Sequence, residues 1–215
     1  MSLAAVLVRR DEACRRVGRS PGDVTLVAVT KGRSVEAIQR LYSEGHRDFG
    51  ENRAQELRDK VDLLPSDIRW HFIGPLQTNK VRIVRPAVQV LHSMDRDALA
   101  TAWLKGPGRP PPVYLQVNIG EEEQKSGVAP DRTHETCDRL VETGLVVVGL
   151  MAIPPLADDP EEVRPYFAAL RRLRDEVVAR HPSVEGLSMG MTDDFEVAVE
   201  EGATAIRVGR AIFAD

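Results

Sequence analysis

Short runs rich in valine and isoleucine alternate along this chain with longer charged stretches in which apolar residues recur at helical spacing. Eight runs are predicted to be strands: TLVAVT, HRDFG, RWHFIG, VQVLHSM, PVYLQVNI, LVVVGLMAI, VEGLSMGM and ATAIRVG. Most of them are continuous rather than alternating apolar runs, which is typical of parallel strands covered on both faces. Eight strands with helical segments between them favour a closed (β/α)8 barrel, the TIM-barrel class of α/β fold.

A doubly wound open sheet is the alternative architecture, and it often carries a phosphate-binding loop after its first strand. Neither GxGxxG nor GxxxxGK[ST] occurs in the sequence, so the barrel is favoured. The pattern before the first strand predicts an extra N-terminal helix, packed outside the barrel or across its N-terminal end. Between the strands, the sequence predicts a helix after Ser34 that stops at Gly45, a helix starting at Asp95 and a helix over about residues 130–143. On a later helix, apolar residues form one stripe at helical spacing: Val163, Phe167, Leu170, Leu173 and Val177. No linker or low-complexity segment interrupts the chain, and we expect a single domain over residues 1–215.

Charge and cysteine content narrow the range of partners. The formal net charge of −4 gives no whole-protein electrostatic reason to expect nucleic acid or an anionic membrane as partner. Cys14 and Cys137 lie far apart, without a CxxC motif or zinc-type spacing, so we expect reduced thiols and no metal site. The N-terminus lacks a basic leader, and no apolar stretch is long enough to span a bilayer, which predicts a cytoplasmic protein.

In a barrel of this class, functional sites form at the carboxyl ends of the strands and in the loops that follow. Lys31 ends the first predicted strand, either as a surface charge or as a Schiff-base lysine. Burial in an apolar barrel mouth disfavours the charged form of an amine, and a neutral amine can attack an aldehyde or ketone. This chemistry is used by barrel aldolases and at pyridoxal 5′-phosphate (PLP) sites. Other polar and glycine residues at this rim are Glu51, Asn52, His71, Gly74, Gln77, Asn79, Asn118, Arg207, Gly209 and Arg210.

The loops after the seventh and eighth predicted strands both have the pattern of a phosphate-binding turn. SMGMTDD leads from a strand through small residues into a helix, for which Thr192 is a candidate N-cap. VGRAIF repeats the pattern, with Gly209 and Arg210 opening a short helix. These two loops form the common phosphate site of such barrels, because free N–H groups at a helix start bind anions. Together they predict an anionic ligand across the barrel mouth from Lys31.

Six motifs occur in this order between about residue 24 and residue 213: AVTKGRSVEAI, FGENRAQE, WHFIGPLQTNK, LQVNIGEEEQKSGV, GLMAIPP and LSMGMTDDFEVAVEEGATAIRVGRAIF. Together they resemble the pyridoxal phosphate homeostasis protein family (the YggS/PROSC type), to which the HFIGPLQ.NK and SMGM.DD strings are specific. The resemblance implies a single barrel similar to the N-terminal domain of alanine racemase. It also implies a protein that binds PLP as an internal aldimine and helps to control the supply of this cofactor.

The resemblance also implies roles for particular residues. It assigns Lys31 to the aldimine, Asn52 to the side of the cofactor ring and Arg207 to the pyridine nitrogen. Phosphate would be bound by Thr192, which stands where the family usually has Ser, and by the backbone N–H groups of Gly209 and Arg210. Further candidates for contact with the cofactor are His71, for which a hydrogen-bonded core histidine is the alternative, and Ser188, Met189 and Lys125.

Two departures from the family pattern bear on the site. Gly32 stands where the family more often has Thr, which predicts a looser loop after Lys31. Ala214 replaces the usual Gly after AIF. Neither removes a group that the site needs.

The predicted position of Arg207 favours a protein that binds PLP over an enzyme that uses PLP in catalysis. Arginine is always a hydrogen-bond donor, so at the pyridine nitrogen it would keep the ring unprotonated and weaken the electron sink that PLP enzymes use. The chain also ends after the eighth strand, where a racemase adds a second domain. We therefore expect a non-catalytic PLP carrier, a monomer rather than an obligate oligomer, with apo PLP-enzymes as transient partners. A low-activity PLP-dependent amino-acid racemase or decarboxylase and a PLP-free Schiff-base aldolase are the alternatives.

Overall fold

The computed structural model of the chain describes residues 2–106, 108–122 and 124–213. Within them, eight parallel strands form a closed barrel in which each strand pairs with the next and the first pairs with the last. The predicted (β/α)8 class is confirmed. The strands are β1 (Thr25–Val29), β2 (Asp48–Glu51), β3 (Arg69–Phe72), β4 (Val90–Met94), β5 (Val113–Gln116), β6 (Val147–Met151), β7 (Gly186–Ser188) and β8 (Ala205–Val208).

Helices alternate with these strands along the described chain, and one helix precedes β1. None of the described helices has the length and apolar character needed to cross a membrane. The helices are α1 (Leu3–Arg16), α2 (Val35–Ser43), α3 (Ala54–Val61), α4 (Val81–Val84), α5 (Asp97–Leu104), α6 (Thr133–Glu142), α7 (Arg164–Val178) and α8 (Phe195–Glu200).

The first helix takes the place in the outer layer that a helix after β8 would have. α1 packs beside α8, and Arg9 forms a bidentate ion pair with Glu196 at 3.2 and 2.7 Å. Arg19 donates to the carbonyl groups of Val199 and Ala203 at 2.7 and 2.8 Å. The predicted extra N-terminal helix is therefore confirmed, and it lies outside the barrel wall.

Local sequence signals place several helix ends as predicted. The Ser34 hydroxyl caps α2 by accepting from the N–H of Ala37 at 3.3 Å. Gly45 follows this helix with a φ of 95°, a left-handed conformation that glycine adopts at little cost. The apolar stripe predicted at helical spacing faces the core, since four of its members are buried and Leu173 packs partly buried against them: Val163, Phe167, Leu170 and Val177.

Three helix boundaries differ from the predicted ones. The helix predicted to start at Asp95 begins at Asp97, because the intervening Arg96 has an extended backbone with φ −162° and ψ 154°. The helix predicted over residues 130–143 opens with a separate 3-10 turn at Pro130–Arg132 before α6.

The third difference lies at the end of the chain. The short helix predicted after β8 is a hydrogen-bonded turn, in which the N–H groups of Ile212 and Phe213 donate to the carbonyl of Gly209 at 3.0 and 3.2 Å. Ala214 lies outside the described residues.

The interior of the barrel is polar, whereas branched apolar side chains usually fill this fold. Tyr114 stacks on His92 with ring centroids 4.6 Å apart and an interplanar angle of 23°. Gly186 leaves room for the tyrosine, because a Cβ on this residue would lie 2.8 Å from its ring, and the paired Gly149 allows the close approach of the Gly186 main chain. The other polar interior residues, all joined by hydrogen bonds, are Asp48, His71, Ser188 and Arg207.

Gly186→Ala is expected to lower the free energy of unfolding by about 1–3 kcal/mol, because the added methyl group overpacks this interior. Its Cβ would also lie 2.8 Å from the carbonyl oxygen of Val148, so main chain has to move. Urea unfolding measures the change. Gly22→Ala is the matched control, since its Cβ would meet only the Ser20 hydroxyl at 3.5 Å. Equal stability of the two variants would contradict the tight fit around Tyr114.

Candidate functional site

A cavity of about 470 Å³ opens at the carboxyl end of the barrel. Its wall is formed by the loops after β1, β2, β3, β6, β7 and β8, and by β8 itself. These elements are distant in sequence and meet only because the barrel is closed. The wall contains all six residues to which the family resemblance assigns a cofactor role: Lys31, Asn52, Thr192, Arg207, Gly209 and Arg210.

Lys31 lies in the loop directly after β1, with its side chain exposed at the cavity. The buried amine expected from the sequence is therefore not observed, because this part of the cavity is open to solvent. The lysine side chain is free to reach a ligand in the cavity, and its position is set by its main chain.

The main chain before Lys31 is held by a buried ion pair between β2 and α3. The ammonium group of Lys60 lies 2.5 Å from the Glu51 carboxylate and donates to the Thr30 carbonyl at 2.9 Å. The Thr30 hydroxyl donates to the same carboxylate oxygen at 2.6 Å. Glu51 is completely buried, and a carboxylate there needs such partners to remain charged. The pair thus fixes the end of β1.

The main chain after Lys31 is held by a second carboxylate. The N–H of Gly32 donates to Glu56 at 2.7 Å, and Glu56 also accepts from Lys60 at 3.4 Å. Gly32 has a φ of +67°, a conformation in which a threonine would be strained. The looser loop predicted at Gly32 is thus not observed, because a hydrogen bond fixes the glycine. Lys31 is an exposed side chain on a restrained backbone.

Arg207 lies on β8, the strand that pairs with β1, and is 4% exposed. Its guanidinium group donates to the Ser188 hydroxyl at 2.7 Å and to the Ala152 carbonyl at 3.0 Å. Burial lowers the pKa of Arg207 to about 10, and the Asp194 carboxylate opposes that shift. The guanidinium is therefore still charged at neutral pH. Two of its five N–H groups have these acceptors, which leaves donors for a ligand in the cavity.

The loops after β7 and β8 present free backbone donors to the same cavity. In the part of the chain that the structure describes, the N–H groups of Thr192, Gly209 and Arg210 have no protein acceptor. The Arg210 guanidinium and the Asp193 carboxylate form an ion pair that joins the two loops. Adjacent unpaired N–H groups of this kind form a concave binding surface for an anion.

Thr192 is not the N-cap that the sequence predicts. α8 begins at Phe195 with Asp194 as its N-cap, and the Asp194 carboxylate accepts from the N–H of Met191 at 2.5 Å. Burial raises the pKa of Asp194, although this hydrogen bond acts in the opposite direction. Because Asp194 closes the turn, Thr192 lies before the helix and its hydroxyl group remains available at the cavity wall.

The four further candidates do not line this cavity in the described structure. Met189 is completely buried in the hydrophobic core, and His71 and Ser188 lie inside the barrel. Lys125 borders a neighbouring cavity of about 240 Å³ and donates to the Pro154 carbonyl at 2.9 Å. Ser188 contacts the cavity wall directly, through its hydrogen bond from Arg207.

Sequence reasoning missed His92 and Asp48, which lie in the interior next to His71. A ring nitrogen of His92 is 2.9 Å from one of His71, and Asp48 contacts the other nitrogen of His71 at 3.3 Å. Spacing rules for paired histidines consider residues that are close in sequence, so they overlook two histidines that meet on neighbouring strands. The available signal was a histidine near the centre of two consecutive predicted strands, RWHFIG and VQVLHSM.

Comparison with known proteins places this chain in a family. Residues 10–215 match the family model described as alanine racemase, N-terminal domain. The pyridoxal phosphate homeostasis protein of Aquifex aeolicus is 43% identical over 99% of this chain and 96% of that protein. The protein of the same name from Escherichia coli K12 is 39% identical over 99% of this chain and 94% of its own length. The chain belongs to the pyridoxal phosphate homeostasis protein family.

Solved structures agree with this assignment. PipY of Synechococcus elongatus, in a structure without PLP, is 35% identical and superimposes with a TM-score of 0.84 over 97% of this chain and 100% of that chain. A second structure of PipY, with PLP bound, is 33% identical and has a TM-score of 0.80 over 97% of this chain and 100% of that chain.

Lys60→Met is expected to lower the free energy of unfolding by about 3–5 kcal/mol, because it leaves the Glu51 carboxylate buried without its cation. The double variant Glu51→Gln/Lys60→Met removes both charges and should recover most of that loss. Urea unfolding of the two variants and the wild type gives both values. If the double variant is as unstable as Lys60→Met, the packing of Lys60 rather than its charge supports the loop.

Proposed function

We propose that this protein binds PLP in the cavity at the carboxyl end of the barrel, with Lys31 as the covalent anchor, and holds it for release. The observation that carries the proposal is the convergence of Lys31, Arg207 and two phosphate-type loops on a single cavity of about 470 Å³. The names of the relatives and the PLP-bound structure of PipY support the choice of ligand.

The wall of the cavity fits PLP in charge and in hydrogen-bonding groups. It carries four cationic side chains against the single carboxylate of Asp193 among its described residues: Lys31, Arg33, Arg207 and Arg210. A phosphate ester is anionic, and the unpaired N–H groups of Thr192, Gly209 and Arg210 are suited to its oxygens.

One further feature of the wall favours a ring with polar substituents. The side-chain oxygen of Asn52 is buried and has no hydrogen-bond partner among the described residues. A buried amide normally finds a partner, so this orphaned group is available to a bound ligand. Asn52 lies in the loop after β2, between Lys31 and the loop after β3.

The residues of the same wall favour retention of the cofactor rather than catalytic turnover of a substrate. Bound PLP acts as an electron sink most strongly when its pyridine nitrogen is protonated. Arg207 is charged and can only donate, so it binds that nitrogen without supplying a proton to the ring. The described lining also contains no tyrosine, histidine or cysteine that could serve as a second acid or base beside Lys31.

Release requires access to the bound cofactor. Leu156, at the rim of the cavity, is 94% exposed, and the loop that carries it leaves the mouth open. We infer that apo PLP-enzymes receive the cofactor through this opening.

Both cysteines are buried and unpaired, which suits a reducing compartment such as the cytoplasm. Burial also raises the pKa of the Cys137 thiol to about 11.

Purified protein incubated with PLP is expected to turn yellow, and borohydride should bleach the colour while fixing one PLP to Lys31. Lys31→Ala removes the amine and should abolish the colour and the borohydride-stable adduct. Absorption spectra and peptide mass analysis measure both effects. Lys125→Ala, which alters a lysine of the neighbouring cavity, is the matched control and should keep the adduct.

Two results would contradict this proposal. A wild-type protein that stays colourless with added PLP but forms a borohydride-stable adduct with a simple aldehyde would favour the Schiff-base aldolase. A PLP adduct found on Lys125 in both the wild type and Lys31→Ala would move the covalent anchor out of the cavity.

The PLP-loaded protein is expected to racemise or decarboxylate L- and D-alanine, serine and lysine at far less than about one turnover per second, the lower end of ordinary enzyme rates. The physical reason is the weak electron sink beside Arg207. Chiral chromatography and a carbon dioxide assay measure both reactions, with a dedicated alanine racemase as positive control. Turnover equal to that control, lost in Lys31→Ala, would establish an enzyme instead.

A further inference from the structure

A continuous path of side-chain hydrogen bonds crosses the interior of the barrel, from the cavity to the amino-terminal ends of β2 and β3. Its contacts measure 2.7, 2.7, 2.9 and 3.3 Å. Four of its members are less than 9% exposed, and only the last approaches solvent. In order from the cavity, the members are Arg207, Ser188, His92, His71 and Asp48.

The two ends of this path define the direction of every hydrogen bond in it. Arg207 can only donate, so the Ser188 hydroxyl oxygen accepts from it. At the other end the ionised Asp48 can only accept, so the Nε2 atom of His71 carries a proton and donates.

The interior links follow from these ends. The Ser188 hydroxyl has one proton, and its neighbours in the described structure are Arg207 and the Nδ1 atom of His92. It therefore donates to Nδ1, which makes His92 the Nε2–H tautomer. His92 then donates from Nε2 to the Nδ1 atom of His71. The Ser188 hydroxyl and all four ring nitrogens of the two histidines have a partner when both histidines are neutral.

The charges around the path agree with this arrangement. Burial, together with Arg207 and His71, holds the pKa of His92 well below its usual range. Burial opposes ionisation of Asp48, but hydrogen bonds from Arg69 and His71 hold the pKa of that carboxyl well below its ordinary value. The titratable and charged groups facing the two histidines are Asp48, Arg69, His46, Tyr114 and Arg207.

We propose that Ser188, His92 and His71 are positioning residues that form, with Asp48, a directed chain of hydrogen bonds orienting the Arg207 guanidinium toward the cavity. This role rests on the proposed binding of PLP beside Arg207. Without the chain, the guanidinium retains only the Ala152 carbonyl as an acceptor and can turn away from the cofactor ring. Each member polarises the next, so a change at Asp48 is transmitted to Arg207 across the barrel.

The first experiment uses the PLP-free protein and needs no cofactor. Nitrogen-15 NMR of the histidine side chains distinguishes the tautomers, and both His71 and His92 are expected to be neutral Nε2–H forms at pH 7. His71→Gln and His92→Gln assign the two signals, and His134→Gln controls for a histidine outside the chain. An Nδ1–H tautomer or a charged ring at either position would overturn the proposal.

The second experiment measures PLP binding. Ser188→Ala is expected to weaken it about tenfold, because Arg207 loses the hydrogen bond to the Ser188 hydroxyl that orients it. Asp48 lies at the opposite end of the barrel from the cavity. Asp48→Asn should also weaken PLP binding, and His71 should no longer adopt a single tautomer. Arg69→Met is its matched control, since it removes the same ion pair but keeps the Asp48–His71 contact. Thermal unfolding confirms that each variant is folded.

The outcomes separate this proposal from the proposed function. If the wild type binds no PLP, the proposed function fails, and the tautomers alone decide whether the chain exists. If the wild type binds PLP and Ser188→Ala binds it equally well, the chain does not position Arg207 and the proposal fails. If Ser188→Ala does not fold, His92→Gln replaces it in the binding measurement, with the same expected direction.

Discussion

A guanidinium group buried inside a parallel barrel loses its hydration, and that loss is tolerated only where acceptors replace water. Arg207 is in this position, and the interior of the barrel is built around it. Ser188 and Ala152 supply the acceptors, His92 accepts from Ser188, His71 accepts from His92, and Asp48 ends the series. Gly186 leaves space for the tyrosine that stacks on His92. A filling of branched apolar residues would be incompatible with this buried charge.

The cavity contains two cationic side chains in contrasting surroundings, the buried Arg207 and the exposed Lys31. Arg207 is rigid and desolvated, so it can bind a ring nitrogen in a fixed geometry. Lys31 has an exposed side chain on a backbone held by Glu51, Glu56 and Lys60. A restrained backbone with a free amine suits a bond that forms and breaks, since solvent reaches it. Under the proposed function, this difference lets Arg207 hold the ligand while Lys31 allows its exchange.

The strand order and the rim position of Lys31 were predictable because apolar runs and turn residues act over a few neighbouring positions. The cofactor roles of the six cavity residues came from motif resemblance, since their predicted positions alone left Lys31 open between a surface charge and a nucleophile. The interior chain was not predictable in this way: His92 and Ser188 are 96 residues apart and meet only across the closed barrel. The burial of Glu51 and Lys60 likewise depends on how α3 packs on β2.

Closure of this barrel joins the two ends of the chain, because β1 pairs with β8 and α1 packs beside α8. Contacts of such large sequence separation form late, and during synthesis the N-terminal part of a chain emerges first. Lys31 therefore leaves the ribosome well before Gly209, when the loops for an anion do not yet exist. A nascent chain carries the amine without the cavity. The cavity is thus complete only after β8 has been made and has paired with β1.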